Sequence, residues 1–408
     1  MRTVLHQQMQ LGETDIAAIV IDAKSRDDIP QLLRGLQHLY TEISVRERVF
    51  AILADVLPER TGAEGKASTT MGRPGMEQWK ILVLGVLRLG LNADYDRIHE
   101  LANQHLTIRQ MLGHSDWMDG AYYELQTIKD NLNLFTPEVL DRINQVVIHA
   151  GHQTLKKKPG ESLVARCDSF VVKTDVHFPT DISLLWDAIR KTIQTCVQLG
   201  EVQGLTEWRQ GAHLLRTFKK RYRHIQQLKH STSQDEAKRQ AKQDAIKEAH
   251  RVYIGQAEIY LQRAYATRER LEKERGIPAE LDSYLQHAER QIAQIRRRVL
   301  QGERIPHEEK VFSIFQPHTE WISKGKAGVP VELGLRVCVV EDQHRFILHH
   351  QVMEKTTDDQ IAVTIIQETQ ARFSALDAVS MDKGFHSQPN QVGLKEIIGC
   401  VVLPKKGR

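Results

Sequence analysis

The chain has 408 residues, 41% hydrophobic and 26% charged, which fits a soluble protein of two or three domains and excludes both a single small core and a disordered polymer. No apolar run approaches the ~20 residues needed to cross a bilayer. The first eight residues, Met1 to Gln8, lack the apolar stretch of a secretory signal, so the expected location is the cytoplasm, with no membrane partner. A formal net charge of +4 says little when spread over this length, and local clustering says more.

Residues 1–57 read as helical, with Ile16, Ile19 and Val20, then Leu32, Leu33, Leu36 and Leu39, at three- and four-residue spacing, and Pro58 as the stop. Gly62, Gly65, Ser68, Thr69 and Thr70 mark a loop. A second helical block runs from Met76 to Phe135. Its first segment, Trp79 to Gly90, is apolar on most sides and reads as a buried helix. Asp94 then caps an amphipathic one. Short helices joined by tight turns suit either a DNA-reading helix-turn-helix or a plain bundle.

Near residue 163 the pattern changes. Leu163 to Thr174 is rich in β-branched residues and reads as a strand carrying Asp168, and Pro179 argues against its continuation. Residues 181–303 read as almost wholly helical, with Gly276-Ile277-Pro278 as a turn between two long helices. From Trp208 to Gln234 there is no acidic residue. That stretch carries Arg209, Arg216, Lys219, Lys220, Arg221, Arg223 and Lys229, with Phe218 and Tyr222 between them. It fits a phosphate-contacting surface or a solvated helix face about equally well. Beyond Pro306, strands are predicted over 310–315, 332–340 and 345–353, a helix over 357–374, a strand over 378–382 ending in Asp382, and a last strand over 399–403. The cysteines Cys167, Cys196, Cys338 and Cys400 show neither zinc-site spacing nor a disulfide framework, and read as buried thiols.

With the helical block removed, the order of strand with Asp, meander, helix, strand with Asp and strand is the frame of a ribonuclease-H-like domain. The expected fold class is therefore α+β: a ribonuclease-H-like core interrupted by a long helical insertion and preceded by an all-α N-terminal region. The expected boundaries are 1–60 for the N-terminal helices, 61–160 for a DNA-binding-like helical domain, 161–180 with 306–408 for the core, and 181–305 for the insertion. In such a frame two carboxylates distant in sequence meet on neighbouring strands. Phosphodiester cleavage needs an activated attacking oxygen and a stabilised leaving oxygen, which two divalent ions held by carboxylates can supply.

Met71-Gly72-Arg73-Pro74-Gly75-Met76, with Asp94 to Leu101, resembles the N-terminal domain of IS5-like bacterial insertion-sequence transposases. Asp168 to Thr174, followed by Val176-His177-Phe178-Pro179-Thr180-Asp181, resembles their first catalytic strand and its Pro-Thr-Asp phrase. Ser323-Lys324-Gly325-Lys326 and Glu332 to Val337 are similar to the next strand pair, and Met381-Asp382-Lys383-Gly384-Phe385-His386-Ser387 to the second-aspartate motif. The long insertion and Pro404-Lys405-Lys406-Gly407 point to the ISNCY group. The resemblance implies a DDE-type transposase that cleaves and transfers DNA strands at element ends with Mg2+ or Mn2+. It implies terminal inverted repeats and target DNA as partners, a homo-oligomer on DNA, and a place at the bacterial nucleoid.

On this resemblance Asp168 and Asp382 are the catalytic, metal-binding residues. Asp175 competes with Asp168, but lies an odd number of residues away and so on the other side of the sheet. The family's third carboxylate is a Glu on a helix beyond the Pro-Lys-Lys-Gly phrase, whereas this sequence stops at Arg408. The expectation is a chain inactive for want of that ligand, with Glu396 the late substitute and Asp377, Glu320 and Glu332 weaker ones. Cys400 to Leu403 are expected to be partly uncovered. Two other readings stand beside the enzyme: a DNA-binding remnant without catalysis, and a structural helical protein with no nucleic-acid role.

Overall fold

The computed structural model describes residues 3–5, 13–56, 75–115, 120–155, 161–204, 206–230, 235–272, 279–323 and 330–405. The predicted loop at 58–72, most of the Met71–Met76 motif, the turn at 276–278, the Lys324–Lys326 phrase and the last three residues lie outside them. The protein is α+β, mostly helical, with a mixed sheet of six strands. It divides into two compact units: residues 1–165, 341–348 and 369–378, and residues 166–340, 349–368 and 379–408.

The first unit contains seven helices among its described residues: α1 (Asp28–Thr41), α2 (Ile43–Ala54), α3 (Gln78–Gly90), α4 (Tyr95–Gln104), α5 (Leu106–Met111), α6 (Leu125–Leu132) and α7 (Pro137–Thr154). Sequence marks their starts. Asp27, Asp94 and Thr136 cap α1, α4 and α7 by accepting a backbone N–H, and Pro137 opens α7 because a first-turn residue needs no N–H donor. A single apolar core runs from Ile16 to Val146, with Trp79 fully buried and its indole N–H on the Met111 carbonyl at 3.1 Å.

The predicted helix around Ile16 shrinks to one 3-10 turn, Ile16–Ala18, and Val20 is exposed. Short polar side chains win the backbone there. Asp15 and Asp22 accept from Ala17 and Lys24 N–H, while the Gln37 amide donates to the carbonyls of Ile16 and Ile19.

The second unit holds four long helices, α8 (Asp181–Gln203), α9 (Gly211–His230), α10 (Glu236–Glu272) and α11 (Ala279–Ile295), which share their own core. Thr180 and Ser183 form a capping box at the start of α8, directly after Pro179. Phe218 and Tyr222, which interleave the basic residues in sequence, serve this core. Phe218 is fully buried and stacks on Tyr253 at 4.4 Å.

The strands are β1 (Leu163–Lys173), β2 (Glu320–Ser323), β3 (Val331–Asp342), β4 (Ile347–Met353), β5 (Leu376–Met381) and β6 (Cys400–Val402). Helix α12 (Asp358–Arg372) lies between β4 and β5 in sequence, and α13 (Gln388–Ile397) between β5 and β6. The sheet order is β2-β3-β1-β5-β6, with β4 also on β3. Strand β2 pairs antiparallel with the start of β3, from Glu320↔Gly334 to Ser323↔Val331. At the other end, the Asp342 carboxylate accepts the N–H groups of His344 and Phe346 and so shapes the turn into β4.

The strand predicted over 310–315 does not form. Ser313 Oγ accepts from the N–H groups of Phe315 and Gln316, which closes a turn, and Ile314 is buried in the helical core. Strand β2 takes its place in the sheet. Of the four thiols, Cys167, Cys196 and Cys338 are buried as expected. Cys400 is exposed, because β6 shows its Cys400 and Val402 side to solvent while Leu403 turns inward.

Candidate functional site

Strand β1 alternates. Leu163, Ala165 and Cys167 face the core, whereas Arg166 and Asp168 face outward. Asp168 is exposed, and its Oδ1 accepts the Ser169 N–H at 2.8 Å. Asp175 lies beyond the end of β1 and is also exposed.

Asp382 follows the buried Met381 at the C-terminal end of β5, the strand beside β1. It caps a single 3-10 turn, Lys383–Phe385, with Oδ1 accepting the Gly384 N–H. That turn is rigid from below. Phe385 is buried, and Asn390 Nδ2 donates both to the Phe385 carbonyl at 2.9 Å and to the Asp359 carbonyl at 2.6 Å. The Asn390 amide therefore ties the Asp382 turn to the first turn of α12.

That tie brings in a residue not singled out in the sequence. A Cβ built on Gly384 would lie 2.9 Å from both Asp382 Oδ1 and Asp358 Oδ2, so these oxygens lie no further apart than twice that distance. Asp358 is half-buried, and its Oδ1 is shielded from solvent without a hydrogen-bond partner among the described residues. The Cys167 thiol is pushed well up by its hydrogen bond with Cys338, by burial, and by the neighbouring charges of Cys338, Asp168 and Asp358. Asp358 is thus felt at the strand position next to Asp168. In the sequence it is masked by its setting, because an acid in the first turn of a helix is an ordinary complement to the helix dipole.

Glu396 is an exposed residue near the end of α13. Asp377 is exposed on β5. Glu320 accepts the Lys355 N–H at 2.5 Å, which supports a left-handed residue (φ +53°) at Lys355, and Glu332 lies on β3. Among the described residues, no group of three or more His, Cys, Asp or Glu side chains is arranged to hold a metal ion.

The basic residues divide between two settings. Arg216, Lys219, Lys220 and Arg223 recur at three- and four-residue spacing on the exposed face of α9, opposite Phe218 and Ile225, and none pairs with a carboxylate among the described residues. Arg209 precedes α9 and is exposed, while Arg221 turns sideways to Gln256 at 3.4 Å. Lys229 falls on the Phe218 side and lines a different cavity.

Among the described residues, no helix is long and apolar enough to cross a membrane. No family profile, no curated protein and no solved structure matches the chain.

Proposed function

We propose that the chain is a DDE-type transposase of an insertion sequence, a metal-dependent DNA strand-cleaving and strand-joining enzyme on a ribonuclease-H-like core. One observation carries the reading. Asp168 stands on β1 and Asp382 directly follows β5, the strand beside it, in a sheet whose order β2-β3-β1-β5-β6, with β4 also on β3, puts the meander on one side of β1 and the helix-connected strands on the other. Open sheets with helical crossovers bind ligands at the carboxyl ends of their strands.

The side chains fit a hard divalent cation such as Mg2+ or Mn2+. They offer only oxygen: Asp358 Oδ2 lies across Gly384 from Asp382 Oδ1, and the other Asp358 oxygen, Oδ1, is a buried acceptor without a partner among the described residues. Asp382 and Asp358 would hold such an ion, with Asp168 on the neighbouring strand. When bound, it supplies charge stabilisation at the phosphodiester. The chain's own part is orientation. The Gly384 N–H fixes Asp382, Asn390 holds the α12 turn beside it, and the Ser169 N–H fixes Asp168. The cationic face of α9 suits the phosphate backbone of DNA.

The test is nicking of supercoiled plasmid in Mg2+ or Mn2+ by the intact chain and by Asp168→Asn, Asp382→Asn and Asp358→Asn. With Asp358 taking the third carboxylate's part, the reading expects metal-dependent nicking in place of the inactivity expected from the sequence, and each variant lowers it by roughly a hundredfold or more. Nicking unaffected by Asp168→Asn and Asp382→Asn overturns it. A second reading, a DNA-binding protein without catalysis, needs only the exposed cationic face of α9. Salt-sensitive DNA binding with no nicking in either metal selects it.

A further inference from the structure

A second concave site lies within the helical unit, among the start of α8, the end of α9, α10, α11 and β2. It is a cavity of about 530 Å³, the size of a small-molecule site. Three properties coincide there. One wall is aromatic: Phe178 meets Trp321 edge to face at 5.4 Å, and Phe312 packs on Trp321 at 5.8 Å, yet Phe178 remains 64% exposed. The rim is cationic. Lys229 and Lys310 have no carboxylate partner among the described residues, whereas Arg298 is held by Asp181 at 2.8 Å. Partial desolvation lowers the Lys229 pKa, with Asp181 opposing and Arg298 reinforcing the effect.

The third property is a buried acceptor. His250 is fully buried at the cavity, its Nδ1 meets the Ile246 carbonyl at 2.6 Å, and its Nε2 has no partner among the described residues. Burial lowers the His250 pKa, only partly offset by the bond to Ile246, so the ring is neutral near pH 7. With Nδ1–H donating to the carbonyl, Nε2 carries a lone pair. A buried lone pair without a donor is costly, and a ligand N–H would satisfy it.

We propose that this cavity binds one unpaired nucleotide, with the base against Trp321 and Phe178, a base N–H on His250 Nε2, and the phosphate between Lys229 and Lys310. An aromatic wall accepts any base face, and all four bases carry an amino or imino N–H, so little base selectivity is expected. The source is either a free mononucleotide or a nucleotide within a single strand. The inference uses none of the carboxylates of the proposed metal site, so either can fail without the other.

The experiment is calorimetric titration of the full chain with dAMP, deoxyadenosine and a single-stranded oligodeoxyadenylate. It is repeated with Lys310→Gln and Phe178→Ala, both checked for unchanged circular dichroism. Phe178 is too exposed for its loss to unfold the protein. Saturable dAMP binding that Lys310→Gln weakens by roughly tenfold supports a free nucleotide as ligand. Loss of the phosphate should weaken binding similarly, and Lys310→Gln should not affect deoxyadenosine. Oligonucleotide binding weakened by both substitutions, with no dAMP binding, supports a strand-borne nucleotide. If dAMP does not bind and neither substitution changes oligonucleotide binding, the proposal fails. It fails equally if dAMP binds but neither substitution matters.

Discussion

Asp358 Oδ2 and Asp382 Oδ1 face each other across Gly384, each 2.9 Å from the point where a side chain at 384 would begin. The glycine is needed for space, not for backbone conformation, since its φ is not positive. Gly384→Ala forces the carboxylates apart at the surface end of the sheet, where the fold has little packing to lose. The expected result is a Tm close to that of the parent and Mn2+ binding weakened by roughly 10- to 100-fold, followed by calorimetry. Unchanged Mn2+ affinity would remove Asp358 from the metal site.

Gly334 presents the opposite case. A Cβ there would lie 2.1 Å from the Val172 carbonyl oxygen and 3.0 Å from Lys173 Cα, all of it backbone that cannot rotate away. Strand β3 runs this close to β1 because position 334 has no side chain, and the Thr174 N–H reaches the Leu333 carbonyl at 3.2 Å beside it. Gly334→Ala should destabilise the chain by about 3 kcal/mol, at the upper end of overpacking costs, read as a lower midpoint in urea. An unchanged midpoint would mean that β3 and β1 are not held in this register.

These two glycines show where the sequence was legible. Runs of β-branched and apolar residues bounded by turn residues located β1, β3, β4, β5 and β6; the first half of β1 alternates strictly, whereas β4 buries the neighbours Leu348 and His349. The same reading misplaced the strand at 310–315, because Val311, Phe312 and Ile314 are apolar for contacts in loop and helical core, and only Ser313 Oγ tells that the backbone turns. Asp168 was readable as an acid within a strand and Asp382 as an acid at a strand's end, where the structure places it one residue beyond β5. Asp358 was not, because its proximity to Asp382 depends on Asn390 bonding to two carbonyls on separate elements, a tertiary fact without local trace.

His177 and Asp187 join the segment after β1 to α8 through a 2.5 Å bond, and Arg190 adds a second contact to Asp187 at 3.0 Å. Burial alone would lower the His177 pKa. The Asp187 bond and charge, together with the bond to the Phe178 carbonyl, outweigh it, so the pKa is raised from its ordinary value. A raised folded-state pKa stabilises most below the unfolded value and loses that contribution as pH rises through the folded one. The Tm deficit of His177→Gln should therefore be largest below pH 6.5 and shrink in alkaline buffer. It should stay small throughout, since the ring is half-exposed. A deficit that grows with pH would contradict the pairing.

The four cysteines should differ sharply in reactivity. Cys167 and Cys338 lie 3.4 Å apart, sulfur to sulfur, and are buried; Cys196 is buried and pushed up to about 12 by desolvation, with Arg263 opposing. The thiolate is the reactive form, so these three should resist alkylation in native buffer, while Cys400 reacts. Counting iodoacetamide adducts by mass spectrometry should give one in native buffer and four in urea. Rapid native labelling at Cys167 would show that β1 and β3 open readily.

The basic face of α9 allows a test of nucleic-acid contact that leaves the fold alone. Arg216, Lys220 and Arg223 point away from Phe218 and Ile225, touch no carboxylate among the described residues, and owe their spacing to one helix face. Lys219 is better left in place, because its ammonium lies 5.7 Å from the Trp186 ring centroid. Changing the other three to Gln should therefore preserve Tm. If each meets a phosphate, duplex binding weakens and the slope of log affinity against log salt becomes shallower by about 0.9 per contact removed. A slope that does not change would assign these cations to solvent, and the phosphate-binding surface would have to be sought elsewhere on the chain.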